Sequence, residues 1–82
     1  MKIQIKYFAS LREALGPGES CETTALTLAQ LRDELIARDT AHAQALARSR
    51  PVRAALNQTM SDESAALSEG CEVAFFPPVT GG

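Results

Sequence analysis

An apolar run followed at once by two prolines lies near the end of the printed sequence. Residues 73–76, Val-Ala-Phe-Phe, have the composition of a buried β-strand, and Pro77 and Pro78 come directly after them. Proline fixes φ and has no backbone N–H to give to a sheet, so the pair ends the strand and stiffens the chain beyond it. The chain is therefore predicted to finish as a core strand that continues into an extended segment.

The predicted tail spans residues 77–82 and includes four residues after the prolines: Val79, Thr80, Gly81 and Gly82. Six extended residues reach roughly 20 Å at about 3.3 Å each. The two glycines have no Cβ, so the last peptide units can enter a channel too narrow for side chains. We expect a domain over residues 1–76 and a flexible tail that presents the Gly82 carboxylate for chemistry. A frayed chain end is the simpler alternative.

Length and composition limit the function classes. With 82 residues, 45% of them hydrophobic and 22% charged, the chain is predicted to form one globular domain. Ten acidic against eight basic residues give a net charge of −2, which argues against nucleic acid and anionic membranes as partners. No run has the length of a membrane span or the pattern of a signal peptide, so a cytoplasmic protein is expected.

The cysteines do not predict a metal site. Cys21 and Cys71 are far apart in the sequence, and His42 is the only histidine that could join them. This spacing fits neither a zinc site nor a disulfide scaffold. We expect two small buried thiols, no bound metal, and a solvated histidine on a helix.

Alternation of apolar and polar residues predicts the strands. Residues 2–9 place Ile3, Ile5 and Tyr7 on one face, and residues 19–25 form a second strand after a Gly-Pro-Gly break, which suggests a loosely connected hairpin. Two further strands are predicted, over residues 52–58 and residues 71–76.

One main helix is predicted to cover the first strand. Thr27 and Gln30 have the spacing of a capping box, so a helix should begin there. Its apolar positions form one stripe, Leu28, Leu31, Leu35 and Ile36. Arg32 is expected mostly off that stripe. One or two helical turns are predicted over residues 10–15, and a shorter helix capped by Asp39 or Thr40 is predicted before Arg48.

Three arginines, Arg48, Arg50 and Arg53, lie close together around Pro51. They could form a docking patch for an acidic partner. A solvated turn is the simpler interpretation, because charge clusters of this size usually face water.

Two phenylalanines lie on strand faces otherwise given to polar groups. Parity puts Phe8 with the lysines of the first strand and Phe76 with Glu72 of the last. If these strands are neighbours, the two rings form an exposed apolar patch at the root of the tail, which Met60 would widen. Such a patch commonly marks an interaction site. A ring folded under a loop is the alternative.

The order of predicted elements resembles the ubiquitin-like β-grasp, an α+β fold in which a mixed sheet is covered by one main helix and followed by an extended C-terminal tail. Three stretches sharpen the resemblance: Phe8-Ala9 with Arg12-Glu13 and Gly16, Ala55-Leu56-Asn57-Gln58, and residues 67–82. Together they are similar, over the whole chain, to the small, sulfur-carrying subunits of molybdopterin synthase. Cys71 is one departure, because that family often has an acidic residue after the glycine.

The resemblance implies a cycle in molybdenum cofactor biosynthesis. A ubiquitin-activating-like adenylyltransferase uses ATP to adenylate the Gly82 carboxylate, and a persulfide donor converts it to a thiocarboxylate. The tail then delivers sulfur to cyclic pyranopterin monophosphate in the active site of the large synthase subunit. The chain itself would bind no cofactor and would not be an enzyme alone. The resemblance implies these partner contacts: Phe8, Met60, Phe76, Pro77, Pro78, Val79, Thr80 and Gly81.

Two other functions stay open. A thiamine-type sulfur carrier also resembles this fold and ends in Gly-Gly, although the run over residues 75–79 favours the molybdopterin carrier. A ubiquitin-like modifier joined through Gly82 to lysines of target proteins is a different class. A stand-alone enzyme is disfavoured, since the sequence shows no catalytic triad, metal spacing or phosphate loop.

Overall fold

A computed structural model describes residues 1–78; the last four residues of the predicted tail lie outside the described part. In chain order its elements are β1 Lys2–Tyr7, α1 Ala9–Leu15, β2 Gly18–Glu22, α2 Leu28–Ile36, α3 Thr40–Leu46, β3 Arg53–Leu56, β4 Thr59–Ser61 and β5 Glu72–Phe76. None of the helices in residues 1–78 has the length and apolar character needed to cross a membrane.

The strands form one mixed sheet in the order β2-β1-β5-β3-β4. β1 pairs with β2 as an antiparallel hairpin, and it pairs in parallel with β5, with Ile5 opposite Val73. β5 is antiparallel to β3, which is antiparallel to β4. The α+β class is therefore confirmed. The first and last strands are also neighbours, which is the condition that the expected apolar patch required.

The core lies between this sheet and the helices. Ile3, Ile5 and Tyr7 of β1 are at most 1% exposed, as are Val73 and Phe75 of β5. The rings of Tyr7 and Phe75 stack with their centroids 6.3 Å apart. On α2 the predicted stripe is confirmed at three buried leucines: Leu28, Leu31 and Leu35.

Both predicted helix caps are present, but the capping box at Thr27 is only half formed. The hydroxyl of Thr27 accepts a hydrogen bond from the Gln30 amide at 3.2 Å, but the Gln30 side chain accepts from the Leu26 amide and not from that of Thr27. Asp39 caps α3, since its carboxylate accepts from the His42 amide at 2.8 Å. The prediction of two capped helices in this order is confirmed.

The structure corrects the strand prediction for residues 52–58. The strand ends at Leu56, and a two-residue turn leads into β4, which the sequence had not predicted. Asn57 and Gln58 have φ values of 49° and 68°, the left-handed pair that a tight hairpin requires. Glycine usually marks the second of these positions, so Asn-Gln gave a weak signal.

Arg32 is a second correction, because it is only 5% exposed. Its Nε donates to the carbonyl of Leu46 at 2.7 Å and its Nη2 to that of Ala47 at 2.7 Å, while Nη1 meets a Glu63 carboxylate oxygen at 2.8 Å. One guanidinium thus supplies donors to carbonyls at the end of α3 and contacts the segment between β4 and β5. His42 is likewise buried, although it was expected to be solvated.

We predict that Arg32→Met lowers the free energy of unfolding by about 3 kcal/mol, because buried carbonyls lose their donors and Glu63 loses its partner. Urea denaturation followed by circular dichroism measures the change. Arg48→Met is the matched control. Arg48 also contacts Glu63, but it is more exposed, so its loss should cost about 1 kcal/mol or less. Equal losses in the two variants would contradict the role given to Arg32.

Candidate functional site

The sheet face opposite α2 carries the predicted apolar residues. Phe8 is 44% exposed and Met60 52% exposed, and Phe76 is half-buried. Their side chains lie on one face because each occupies the strand parity opposite the buried set. The structure therefore confirms the expected exposure of Phe8 and Met60, while their role as partner contacts stays a prediction.

The backbone of Phe8 is fixed while its ring is exposed. β1 ends at Tyr7, but the Phe8 amide still donates to the carbonyl of Phe75 at 3.1 Å. The Phe8 carbonyl accepts from the amides of Leu11 and Arg12 at the start of α1. Phe8 thus makes the last backbone hydrogen bond between β1 and β5 and is also the N-cap of α1. Its ring therefore projects from a backbone that is held in place beside β5.

Two buried alanines lie between Met60 and the strand that ends in Phe76. The register places Met60 opposite Ala55, Ala55 opposite Ala74, and Arg53 opposite Phe76. Neighbouring strands lie about 4.8 Å apart, so Met60 is about 10 Å across the sheet from β5. The two residues between them in this row, Ala55 and Ala74, have only methyl side chains. We call this set the tail-root patch: Phe8, Ala55, Met60, Ala74 and Phe76.

The predicted tail begins at the edge of the tail-root patch. Pro77 and Pro78 follow β5 directly and are half-buried. The remaining predicted contacts and the predicted sulfur donor, Val79, Thr80, Gly81 and Gly82, lie outside the described residues. The boundary between a domain over 1–76 and a tail over 77–82 therefore stays a prediction.

A cluster of polar side chains lies on the other side of the sheet. The Tyr7 hydroxyl donates to a Glu19 carboxylate oxygen at 3.3 Å, and Arg38 donates to the other oxygen at 2.5 Å. His42 Nε2 is 3.5 Å from Glu19 and has no hydrogen-bond partner within residues 1–78. Burial, aided by the Glu19 charge, raises the pKa of Tyr7, so the phenol stays neutral. These contacts connect β2 to α3 and to the end of α2, away from the tail-root patch.

Comparison with known proteins gives the family. A sequence model of the ThiS family matches residues 5–82. This chain belongs to the ThiS family. It is 40% identical over 82 residues to the molybdopterin synthase sulfur carrier subunit of Escherichia coli K12, covering 98% of this chain and 99% of the relative. The subunit of the same name from Haemophilus influenzae is 35% identical over 81 residues, again covering 98% and 99%.

Solved structures agree on the fold of this ThiS-family protein. The small archaeal modifier protein 1 of Haloferax volcanii superimposes with a TM-score of 0.74 at 25% identity, covering 95% of this chain and 98% of that chain. A complex of subunits 1 and 2 of the molybdopterin-converting factor from Helicobacter pylori gives a TM-score of 0.68 at 24% identity, with both chains fully covered. The second likeness shows the fold alone.

The thiols of this ThiS-family protein lie on the core face, as predicted. Cys21 is 7% exposed and Cys71 is 4% exposed. Burial raises the pKa of the Cys21 thiol, although the Arg38 guanidinium, 3.3 Å from its sulfur, acts in the opposite direction. A thiol becomes a nucleophile only as its thiolate, so this environment disfavours reaction at Cys21. Within residues 1–78 no three His, Cys, Asp or Glu side chains are grouped as a metal would require.

We predict that neither thiol reacts quickly with Ellman's reagent in the native protein. Labelling should be at least about a hundredfold slower than in urea, because it must await local opening of the core. Absorbance of the released thionitrobenzoate measures the rate, and Cys21→Ala and Cys71→Ala assign it to one thiol or the other. A native thiol that reacts as fast as in urea would contradict the burial.

Proposed function

We propose that this protein is the sulfur carrier subunit of a molybdopterin synthase and that Gly82 carries the sulfur. One observation supports this most strongly: the similarity to molybdopterin synthase sulfur carrier subunits covers 98% of the chain, and the ThiS-family match continues to residue 82. The similarity therefore includes the predicted tail as well as the sheet that holds its root.

The proposed reaction starts at the Gly82 carboxylate. As an ionised group with a pKa of about 3.5 in model compounds, it is a poor electrophile. A separate adenylyltransferase would join it to the α-phosphate of ATP, with release of pyrophosphate. The terminal sulfur of a persulfide then attacks the acyl carbon and displaces AMP. A second thiol of the donor system cleaves the resulting sulfur–sulfur bond, which leaves a thiocarboxylate on Gly82 and a disulfide on the donor.

In the proposed second half of the cycle, the tail enters the active site of the large synthase subunit. There the thiocarboxylate sulfur is transferred to cyclic pyranopterin monophosphate, and water returns Gly82 to a carboxylate. The large subunit would supply the catalytic groups, and this chain alone would not be an enzyme. It would need no bound cofactor, since ATP is used by the activating enzyme. The proposed site of action is the cytoplasm.

The tail-root patch gives this chain its proposed part in recognition. A partner that encloses the tail must approach the point where it leaves the sheet, and Phe8 and Phe76 flank that point. Exposed aromatic side chains are frequent anchors of protein interfaces. Burying the two rings together with Met60 would therefore hold the domain while the glycines reach the active site.

Protein modification is a second candidate function. It is favoured by the likeness to the small archaeal modifier protein 1, whose chain is almost fully covered. The adenylated Gly82 would then be attacked by a lysine of a target protein and not by sulfur. A thiamine-type carrier differs in another way, because its sulfur acceptor would be bound to a thiazole synthase. Copurification with that enzyme would favour the thiamine-type role.

We predict that the intact protein gains the mass of one oxygen-to-sulfur exchange after incubation with ATP, a sulfide source and its adenylyltransferase. Deleting Gly82 should abolish the gain without changing the free energy of unfolding, because the core ends before the tail. Mass spectrometry of the C-terminal peptide would locate the sulfur.

The double variant Cys21→Ser, Cys71→Ser is the control for this experiment, and it should retain the mass gain. Its loss in a folded double variant would place the sulfur on a cysteine. Higher-mass conjugates that vanish on deletion of Gly82, without any thiocarboxylate, would support the modifier function instead.

We also predict that Phe8→Ala weakens binding to the large synthase subunit by about tenfold, because an aromatic anchor is removed. Leu26→Ala is the matched control, since Leu26 is 62% exposed but is not part of the tail-root patch. Isothermal titration calorimetry measures both affinities. Equal affinities for the two variants would contradict a docking role for the tail-root patch.

A further inference from the structure

A cleft lies between α1 and α3, next to the root of the tail. Its volume is about 410 Å³. Residues before β3 close its third side, and Pro77 forms part of its wall. The side chains that matter here are Ser10, Ala14, Ala41, Gln44, Arg50 and Pro77. Because Pro77 directly follows Phe76, the cleft and the tail-root patch meet at the residue where the tail begins.

The cleft exists because alanines line the facing sides of the two helices. Ala14 of α1 and Ala41 and Ala45 of α3 line it, and their methyl groups are too short to fill the space between the helix axes. Leu11, 5% exposed, and Ala45, 8% exposed, form an apolar floor. Ser10, Gln44 and Arg50 also line the cleft, so it can hold an alkyl stem that ends in a polar head.

Arg50 is the charged residue of the cleft. Its amide donates to the Ala47 carbonyl at 2.8 Å, and its own carbonyl accepts from Arg32 at 3.2 Å, so its backbone is fixed. No carboxylate of residues 1–78 lies within 4 Å of its guanidinium. Arg32, Arg38 and Arg48 each have such a carboxylate, whereas Arg12 and Arg53, like Arg50, have none in residues 1–78. Neither Arg12 nor Arg53 lines the cleft.

The Arg50 guanidinium is distinguished by its position, because this exposed residue lines the cleft beside the root of the tail. The chain has ten acidic residues and eight basic ones, so carboxylates outnumber the cationic side chains. The cleft nevertheless presents a cation with no carboxylate from the described part of the chain. A buried interface would leave this charge desolvated unless the partner brought an anion to it.

We propose that the cleft receives an aspartate or glutamate side chain of the large synthase subunit, whose carboxylate pairs with the Arg50 guanidinium. The proposal rests on the proposed function for the identity of the partner. Continuity supports it, because Pro77 lines the cleft and is also the first residue of the tail that such a partner would enclose. The alkyl stem of the acidic residue would lie against Ala14 and Ala41, with the Ser10 hydroxyl and the Gln44 amide as further donors.

The test compares two charge reversals by titration calorimetry with the large synthase subunit of the same organism. Arg50→Glu should weaken binding by about tenfold, since it sets like charges against each other at the interface. Lys2→Glu makes the same change of net charge at an exposed residue of β1 that also has no carboxylate within 4 Å of its ammonium group in residues 1–78, and it should change the affinity less than about twofold.

Two further variants test the shape of the cleft and its charge separately. Ala41→Leu, at an exposed helix position, fills the cleft without altering charge and should also weaken binding. Arg50→Gln removes the charge and should reduce the salt dependence of the affinity. Replacing the acidic residue of the large subunit by lysine should restore binding of Arg50→Glu. Thermal unfolding monitored by circular dichroism confirms that each variant is folded.

The outcomes distinguish the cleft from the proposed function. If the wild-type protein binds the large subunit and Arg50→Glu binds equally well, the proposal for the cleft is overturned and the sulfur-carrier function is unaffected. If the wild-type protein does not bind the large subunit at all, the proposed partner is wrong and the cleft proposal falls with it. Weakened binding by Arg50→Glu and Ala41→Leu, with Lys2→Glu unchanged, supports it.

Discussion

The parallel pairing of β1 with β5 is the contact on which the rest of the structure depends. It joins the beginning of the chain to its last strand, and it places Ile5 beside Val73 and Tyr7 beside Phe75 in the centre of the sheet. Such a pairing is non-local, so its entropic cost must be offset by the apolar area that it buries. The buried side chains of both strands supply that area, because α2 covers them on one face.

The same pairing determines where the tail leaves the domain. β5 lies between β1 and β3, so its end is held on both sides by backbone hydrogen bonds. Phe8 continues the ladder for one residue beyond Tyr7 and is thereby brought level with Phe76. Phe8, Phe76 and the prolines are at one end of the sheet because a single register sets them there. A slip of one residue would turn Phe76 into the core and Phe75 out of it.

Features with a local cause could be predicted from the sequence. Strand parity predicted the burial of Ile3, Ile5 and Tyr7 and the exposure of Phe8, and the cap at Thr27 set the start of α2. The missed features depend on distant partners. Arg32 lies off the apolar stripe of α2, so the sequence predicts that it faces solvent. It is buried because its guanidinium donates hydrogen bonds to carbonyls at the end of α3. β4 was also missed, because it forms by pairing with β3 and the Asn57-Gln58 turn between the two strands contains no glycine to mark it.

The candidate site shows the same division. Phe8 and Phe76 could be found from the sequence because strand parity puts each on a face otherwise given to polar groups, and Met60 because it is an apolar residue just before a polar loop. The alanines that connect them could not, because a methyl side chain gives no signal until the register is known. The three arginines near Pro51 looked alike in the sequence, yet their environments differ. Arg48 pairs with Asp33 and Glu63, whereas Arg50 lines the cleft with no such partner among residues 1–78.

Under the proposed function, the position of the tail-root patch restricts the order of events. An adenylyltransferase and a large synthase subunit would each have to enclose the one tail, and each would approach the one point where the tail leaves the sheet. Two proteins cannot occupy that point together, so the complexes would be mutually exclusive. Each partner must release the carrier before the next one binds it. The binding energy is therefore limited, since a very tight complex would dissociate too slowly for the cycle. Apolar rings can contact both partners, because an apolar contact does not require a particular charge or hydrogen-bonding group on the partner. A single charged contact such as that of Arg50 is specific to a partner with a matching carboxylate, and it can distinguish one complex from the other.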